Sequence, residues 1–158
     1  MTDDGWLTPE ELRVYRAFNR SWRVVSARIE DDLQADVGLP RTYFDVLWRL
    51  RRAPGGAMRM SELAAETDSK PSRITHATSR LEAMGLLRRE AVEGDRRGYM
   101  AVLTDKGLTA AEEAAPRFAR AVREYLLDTL SPAMREHITE IGEALLRETA
   151  PDRLPDRH

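Results

Sequence analysis

The sequence contains no cysteine among its 158 residues. This absence excludes disulfide bonds, cysteine-based zinc sites and thiol oxidation as a signal. The sequence also contains no apolar run of the ~20 residues that a helix needs to cross a bilayer, and its acidic start, MTDDGW, is unlike a signal peptide. We therefore expect a cytoplasmic protein that has no membrane partner.

The residue patterns of enzymes are missing as well. No nucleophile has a base at a catalytic spacing, and no glycine-rich loop is suited to holding a phosphate group. The three histidines, at positions 76, 137 and 158, are too scattered to suggest converging metal ligands. We expect no catalytic residue, no metal and no cofactor, and we interpret the protein as a non-enzyme.

Positive charge is concentrated in one part of the chain. Residues 69–98 carry seven basic and four acidic side chains, a local net charge of +3, whereas the whole chain has a net charge of −2. Binding to DNA depends on the distribution of positive charge more than on its total. The basic segment therefore indicates a nucleic-acid-binding surface on an otherwise acidic protein.

Helical periodicity predicts long helices at both ends of a single domain that spans residues 1–158. Thr8 is a favourable helix start, since a proline follows it and a glutamate comes three residues later. The apolar stripe after it is too long for a small domain to cover alone. We expect residues 8–34 and 104–149 to form a helical dimerisation region. The stripe comprises Leu12, Tyr15, Phe18, Trp22, Val25, Ile29 and Leu33.

Two helices are predicted after Thr104. The first should be kinked or divided at Pro116, because proline removes a helical hydrogen bond. The second should begin at Ser131 and Pro132. Its apolar stripe comprises Met134, Ile138, Ile141 and Leu145.

The middle of the chain, residues 36–103, has the pattern of a DNA-binding lobe. A helix is predicted over about residues 40–52, followed after a loop by a short strand contact at residues 58–60. Ser61 should then cap a short helix. A tight turn at residues 68–70 leads to the next helix, so the segment predicts a helix-turn-helix.

The second helix of this unit and a hairpin follow directly. Pro71 begins the helix and Gly85 is placed to end it. Strands are predicted at residues 86–91 and 99–103, with residues 92–98 as a polar hairpin tip.

The second helix has two distinct faces. Its inward stripe consists of Ile74, Ala77, Leu81 and Met84. Its outer face carries short hydroxyls and arginines, which suit phosphates and base edges, instead of the Glu/Lys pairs of an ordinary surface helix. We predict base readout by Arg73, Thr75 and His76, and phosphate contacts by Lys70, Ser72 and Arg80.

The hairpin supplies the second candidate contact with DNA. Asp95 lies two residues before Arg97 and is suited to hydrogen-bonding the local backbone and aiming this arginine by pairing with it. An arginine presented on a narrow hairpin suits a DNA minor groove. We expect Arg96 and Arg89 to contact the flanking phosphates.

These motifs together resemble the MarR family of bacterial winged-helix regulators. The wing segment from Asp95 to Arg97, followed by Leu103-Thr104 and Gly107, is the most specific match, and SELA at residues 61–64 and RLEAMGLLRRE at residues 80–90 support it. The resemblance covers residues 8–149. It implies a mainly helical winged helix-turn-helix fold with about six helices and a small β-hairpin wing. It also implies a two-fold dimer built from both termini, with Arg97 as the minor-groove arginine.

The function implied is a homodimeric regulator, most simply a repressor, that binds a pseudo-palindromic operator in double-stranded DNA. Many members of the family respond to small aromatic or phenolic effectors. Trp22, Arg23 and Tyr43 are candidates for such a pocket, with the arginine placed to hold a carboxylate.

Plainer interpretations remain open at this point. Aromatic residues at helical spacing belong more often to a core than to a pocket. The polar face of the second helix could be a solvated surface, and the Asp95–Arg97 pair a turn salt bridge. A dimeric winged-helix adaptor that binds proteins instead of DNA is the alternative function, because a fold does not determine a function.

Overall fold

The computed structural model describes residues 5–67, 69–92 and 94–151, without the side chains of Arg96 and Arg97. Six α-helices and a three-stranded antiparallel sheet occur in these residues, as the winged-helix interpretation predicts. The helices are α1 (Pro9–Val37), α2 (Arg41–Arg52), α3 (Met60–Glu66), α4 (Pro71–Ala83), α5 (Asp105–Val122) and α6 (Pro132–Thr149). The strands are β1 (Ala57–Arg59), β2 (Leu87–Val92) and β3 (Asp95–Leu103), with β3 in the centre of the sheet.

Local sequence signals account for several helix ends. Thr8 caps α1 by accepting a hydrogen bond from the Glu11 backbone N–H at 3.3 Å, and the Glu11 carboxylate accepts one from the Thr8 N–H at 2.7 Å. At the end of α4, Gly85 has a positive φ of 73°, which favours glycine. The Leu86 N–H then bonds the Leu81 carbonyl at 2.9 Å, which ends the helix as predicted.

The start of α3 differs from the prediction. The helix begins at Met60, and its N-cap residue is Arg59, whereas the sequence analysis assigned the cap to Ser61. The Glu62 carboxylate accepts a hydrogen bond from the Arg59 backbone N–H at 3.2 Å. An acid three residues inside the helix thus satisfies a free backbone donor and lets the helix begin directly after β1.

The hairpin is longer than predicted, because Val92 and residues 95–98 belong to strands and not to a loop. β2 continues to Val92, which pairs with Asp95, and Gly94 allows the short connection with its positive φ of 80°. The next pair joins Ala91 to Tyr99. Residues 96–98 are therefore extra on β3 and form a bulge, which places Arg96 and Arg97 beside the strand end instead of at a loop tip.

Helix α5 is not divided at Pro116. The α-helix continues through this proline to Val122, and a single π-helical turn follows at Arg123–Leu127. Pro116 lies on the exposed side of the helix, where water can solvate the carbonyl that lost its partner. In the π-helical turn, the Tyr125 hydroxyl donates a hydrogen bond to Asp32 of α1 at 3.0 Å.

The two ends of α1 have different environments. Ile29 and Leu33 are buried in the chain's own core, whereas Phe18 nearer the start is 57 % exposed. Helix α6 has no buried residue, and Ile141 on its apolar stripe is 52 % exposed. A single chain therefore leaves apolar surface uncovered on both terminal helices. In the described part of the chain, no helix is both long and apolar enough to cross a membrane.

The junction between β3 and α5 depends on Gly107. A Cβ atom there would overlap the carbonyl oxygen of Leu86 and lie 2.8 Å from Cδ1 of Leu103. We expect Gly107→Ala to lower the free energy of unfolding by about 2 kcal/mol or more, because the Leu86 backbone at the start of the hairpin must move to make room for the added Cβ atom. The control is Gly142→Ala in α6, where an added Cβ atom would meet no described atom within 4 Å apart from its chain neighbours and the helix's own backbone. That change should stabilise the protein by about 0.5–1 kcal/mol. If urea denaturation gave equal changes in the free energy of unfolding for Gly107→Ala and Gly142→Ala, the close approach at Gly107 would be contradicted.

Candidate nucleic-acid interface

Helices α3 and α4 form the predicted helix-turn-helix. The Ser69 N–H bonds the Ala64 carbonyl at 3.2 Å, which ties the turn to α3. Pro71 occupies the first position of α4 after Lys70, the N-cap residue. Asp68, which the sequence analysis placed in this turn, lies outside the described residues.

The buried face of α4 determines which side faces outward. Ile74, Ala77 and Leu81 are buried as predicted. Thr78 is also buried, and its hydroxyl donates to the Ile74 carbonyl at 2.8 Å, so that no polar group is left unsatisfied there. The prediction for Met84 is wrong, because this residue follows the last helical turn and is 42 % exposed.

The opposite side of α4 presents the predicted DNA-binding residues together. Each is exposed, and they extend from the N-cap to the last turn of the helix: Lys70, Ser72, Arg73, Thr75, His76 and Arg80. The Thr75 hydroxyl donates its proton to the Pro71 carbonyl at 2.9 Å, so its remaining capacity is to accept hydrogen bonds. This surface, called the α4 face below, combines cations, hydroxyls and a helix N-terminus, which suit phosphates and base edges.

One residue of the α4 face is held by a neighbouring helix. Arg73 donates a hydrogen bond from Nη2 to Oγ1 of Thr42, in the first turn of α2, at 2.8 Å. Thr42 is not among the residues predicted from the sequence. No local pattern marks it, because the two residues are 31 positions apart.

The first turn of α2 also contacts α1 and lies near α5. Both carboxylate oxygens of Glu30 in α1 accept hydrogen bonds from the Arg41 N–H, at 3.1 and 3.2 Å, so α1 supplies the cap that α2 lacks. The Arg41 guanidinium lies 6.0 Å from the ring centroid of Trp22 and 5.6 Å from that of Phe118. Burial raises the pKa of the neighbouring Asp45, while Arg41 opposes this rise.

An open groove of about 760 Å³ lies between the start of α2 and the first half of α4. Tyr43, one of the three candidate pocket residues, lines the groove, and neither Trp22 nor Arg23 does. Trp22 is instead close to Arg41, and Arg23 is exposed on α1. The lining residues are Pro40, Thr42, Tyr43, Ser69, Lys70, Ser72, Arg73, His76 and Ala77.

The wing is linked to the start of α3. Asp95 accepts a hydrogen bond at Oδ2 from Nη1 of Arg59 at 3.3 Å. Arg59, which is 36 positions away in the chain, is not among the residues predicted from the sequence. The side chains of Arg96 and Arg97 lie outside the described residues, so pairing of Asp95 with Arg97 stays a prediction.

Arg89 is engaged by the end of α4. Its backbone N–H donates to Oε1 of Glu82 at 3.0 Å, and its Nε donates to Oε2 at 2.8 Å. These hydrogen bonds lower the pKa of the Glu82 carboxyl. A phosphate contact by Arg89 stays a prediction, since part of its charge is already balanced.

Comparison with known proteins agrees with this geometry. The family model described as the MarR family matches residues 37–98. The transcriptional regulator PecS of Dickeya dadantii is 35 % identical over 106 residues, which are 66 % of this chain and 61 % of that regulator. This alignment thus spans less than two thirds of the curated relative.

Two solved structures are similar over nearly their whole length. A MarR family regulator of Streptomyces coelicolor, solved in complex with DNA, has a TM-score of 0.84 and 35 % identity. The alignment covers 97 % of this chain and 94 % of that one. The regulator AbsC of the same organism has a TM-score of 0.81 and 37 % identity, and the alignment covers 93 % of this chain and 96 % of that one.

Proposed function

Because this chain belongs to the MarR family of transcriptional regulators, we propose that it is a repressor that binds a pseudo-palindromic operator as a homodimer. The observation that carries the proposal is the α4 face, a continuous polar and basic surface opposite a fully buried one. A related regulator has been solved with DNA, which supports the same use of the fold here. The proposed site of action is the cytoplasm.

In the proposed complex, α4 enters a major groove. Arg73, Thr75 and His76 face the base edges, where arginine recognises guanine and short polar groups recognise several bases. Lys70 and Ser72 lie at the helix N-terminus, which favours a phosphate. Arg80, in the last turn, reaches a second phosphate. The wing follows the adjacent minor groove with Arg97.

The homodimer follows from the uncovered apolar surface. The first half of α1 and the stripe of α6 are about half exposed, and they occupy the two ends of the chain that flank the DNA-binding lobe. A second copy is the partner that covers both at once by two-fold symmetry. To bind a pseudo-palindromic operator, such a dimer must hold its two α4 helices one DNA turn apart, about 34–36 Å.

The groove between α2 and α4 is the proposed effector site. Lys70 and Arg73 supply positive charge, and Tyr43 supplies an aromatic wall. This combination suits a small aromatic carboxylate or phenolate. The same cations belong to the α4 face, so an effector bound there competes with DNA for them. An effector acts only if it binds the DNA-free state more tightly.

The base-reading role of the α4 face is tested with one DNA duplex. This duplex is selected from a randomised pool by its binding to the unaltered protein, and it is called the enriched duplex. We expect Thr75→Ala and His76→Ala each to weaken binding of this duplex about tenfold, with unrelated duplex unaffected. The control is Thr109→Ala in α5, an exposed threonine with the same hydroxyl bond to a carbonyl four residues earlier. Affinity of the unaltered protein should fall steeply as salt rises. If no duplex is enriched, the protein-binding adaptor is the better account.

Dimerisation is tested by sedimentation velocity at micromolar concentration. We expect two chains per particle, and Ile141→Asp should produce single chains, because an unpaired carboxylate cannot be buried in an apolar interface. Glu136→Gln, on the opposite side of α6, is the control and should leave the dimer intact. An unaltered protein that sediments as a single chain would refute the proposed interface.

The effector site is tested with benzoate as the probe and benzamide as its neutral counterpart. Benzoate should shift the NMR signals of the His76 ring and weaken binding of the enriched duplex, and benzamide should do neither. Lys70→Gln should reduce benzoate affinity about threefold or more, since one cation is lost. Lys106→Gln removes the chain's other lysine, which lies outside the groove, and should have no effect. Equal responses to both compounds would exclude anion recognition.

A further inference from the structure

Arg59 connects the two parts of the DNA-binding lobe. It is the last residue of β1, and its backbone N–H bonds Glu62 at the start of α3. Its side chain extends from this position to Asp95 in the wing, at 3.3 Å. Arg59 thus contacts the helix-turn-helix through its backbone and the wing through its guanidinium.

The wing bulge brings this pair within reach. Arg59 pairs across the sheet with Met100, which is five positions from Asp95 in sequence. Because residues 96–98 are extra, Asp95 follows Tyr99 directly in the ladder with β2. Asp95 therefore lies only two residue pairs along the β2–β3 ladder from Met100, the cross-strand partner of Arg59.

The Asp95 side chain also packs inside the bulge. A Cβ atom at Gly98 would collide with the Asp95 carboxylate, and it would lie 2.7 Å from Cγ of this residue. Glycine at position 98 thus leaves the space that the carboxylate occupies. The Asp95 carboxylate is therefore in contact with the bulge of residues 96–98, which includes Arg96 and Arg97.

The charge of Asp95 is unfavourable on a surface that approaches phosphates. Arg59 balances this charge through its ion pair with Asp95 at 3.3 Å. We propose that Arg59 is a positioning residue for DNA binding: by holding Asp95, it fixes the bulge that carries the wing arginines relative to α3 and α4. This inference rests on the proposed DNA-binding function.

A direct phosphate contact by Arg59 predicts different behaviour. In that case Arg59→Gln weakens DNA binding through lost charge, and Asp95→Asn strengthens it through lost repulsion. The positioning role predicts that both substitutions weaken binding, and that the double variant is no worse than either single one. Because Asp95 also has a predicted role toward Arg97, the coupling in the double variant, and not the sign of the Asp95→Asn effect alone, separates the two roles.

The experiment measures affinity for the duplex enriched by the unaltered protein, for Arg59→Gln, Asp95→Asn, the double variant and Arg59→Lys. We expect about a tenfold loss for each single change and for the double variant, with partial recovery in the lysine variant. Arg49→Gln is the matched control, since Arg49 has an ion pair with Glu66 at 3.4 Å and similar exposure. This variant should lose less than twofold.

Dimethyl sulfate protection supplies a readout that general destabilisation does not change. It reports adenine N3 in the minor groove and guanine N7 in the major groove. Arg59→Gln should lose adenine protection and retain guanine protection, while its melting temperature is nearly unchanged because the pair is exposed. Tighter binding by Asp95→Asn, or independent effects in the double variant, would overturn the positioning role. Failure of the unaltered protein to enrich any duplex would instead overturn the DNA-binding function itself.

Discussion

The orientation of α4 is the constraint on which the rest of the lobe depends. Ile74 and Leu81 are fully buried, and Thr78 is buried with its hydroxyl satisfied inside the helix. Rotating the helix would expose these apolar groups and bury the charge of Arg73, which has no comparable compensation in the core. Packing on the inner side thus determines which side chains are available to a ligand, although none of the packed residues would touch it.

Sequence reasoning located the elements of the lobe and the outward residues of α4, because both depend on local signals. A proline, a glycine and a three-to-four residue spacing determine the start, the end and the buried side of this helix. The errors at Pro116 and in the hairpin occur where residue type alone does not determine the structure. Pro116 is accommodated on an exposed helix side, and the hairpin extends through a segment that composition alone predicts as loop.

The residues that hold the candidate site in place cannot be predicted from local sequence patterns. Thr42, Glu30 and Arg59 each make their contact with a residue at least 11 positions away. These contacts depend on how helices and strands are placed in space. An arginine-rich sequence offers many equivalent candidates for every acid or hydroxyl, so that only the fold selects among them. The roles assigned to the α4 face and to the wing accordingly remain proposals, whereas the family and the fold are established.

The first turn of α2 has a thermodynamic consequence. Glu30 of α1 binds its backbone, Arg41 lies near rings of α1 and α5, and Thr42 binds Arg73 of α4. One helical turn thus contacts both the region proposed to join two subunits and the region proposed to bind DNA. If subunit association improves the placement of Arg73, it strengthens operator binding by some free energy. By linkage, operator binding must then strengthen subunit association by the same free energy. Subunit affinity and operator affinity would then be two measurements of a single coupling.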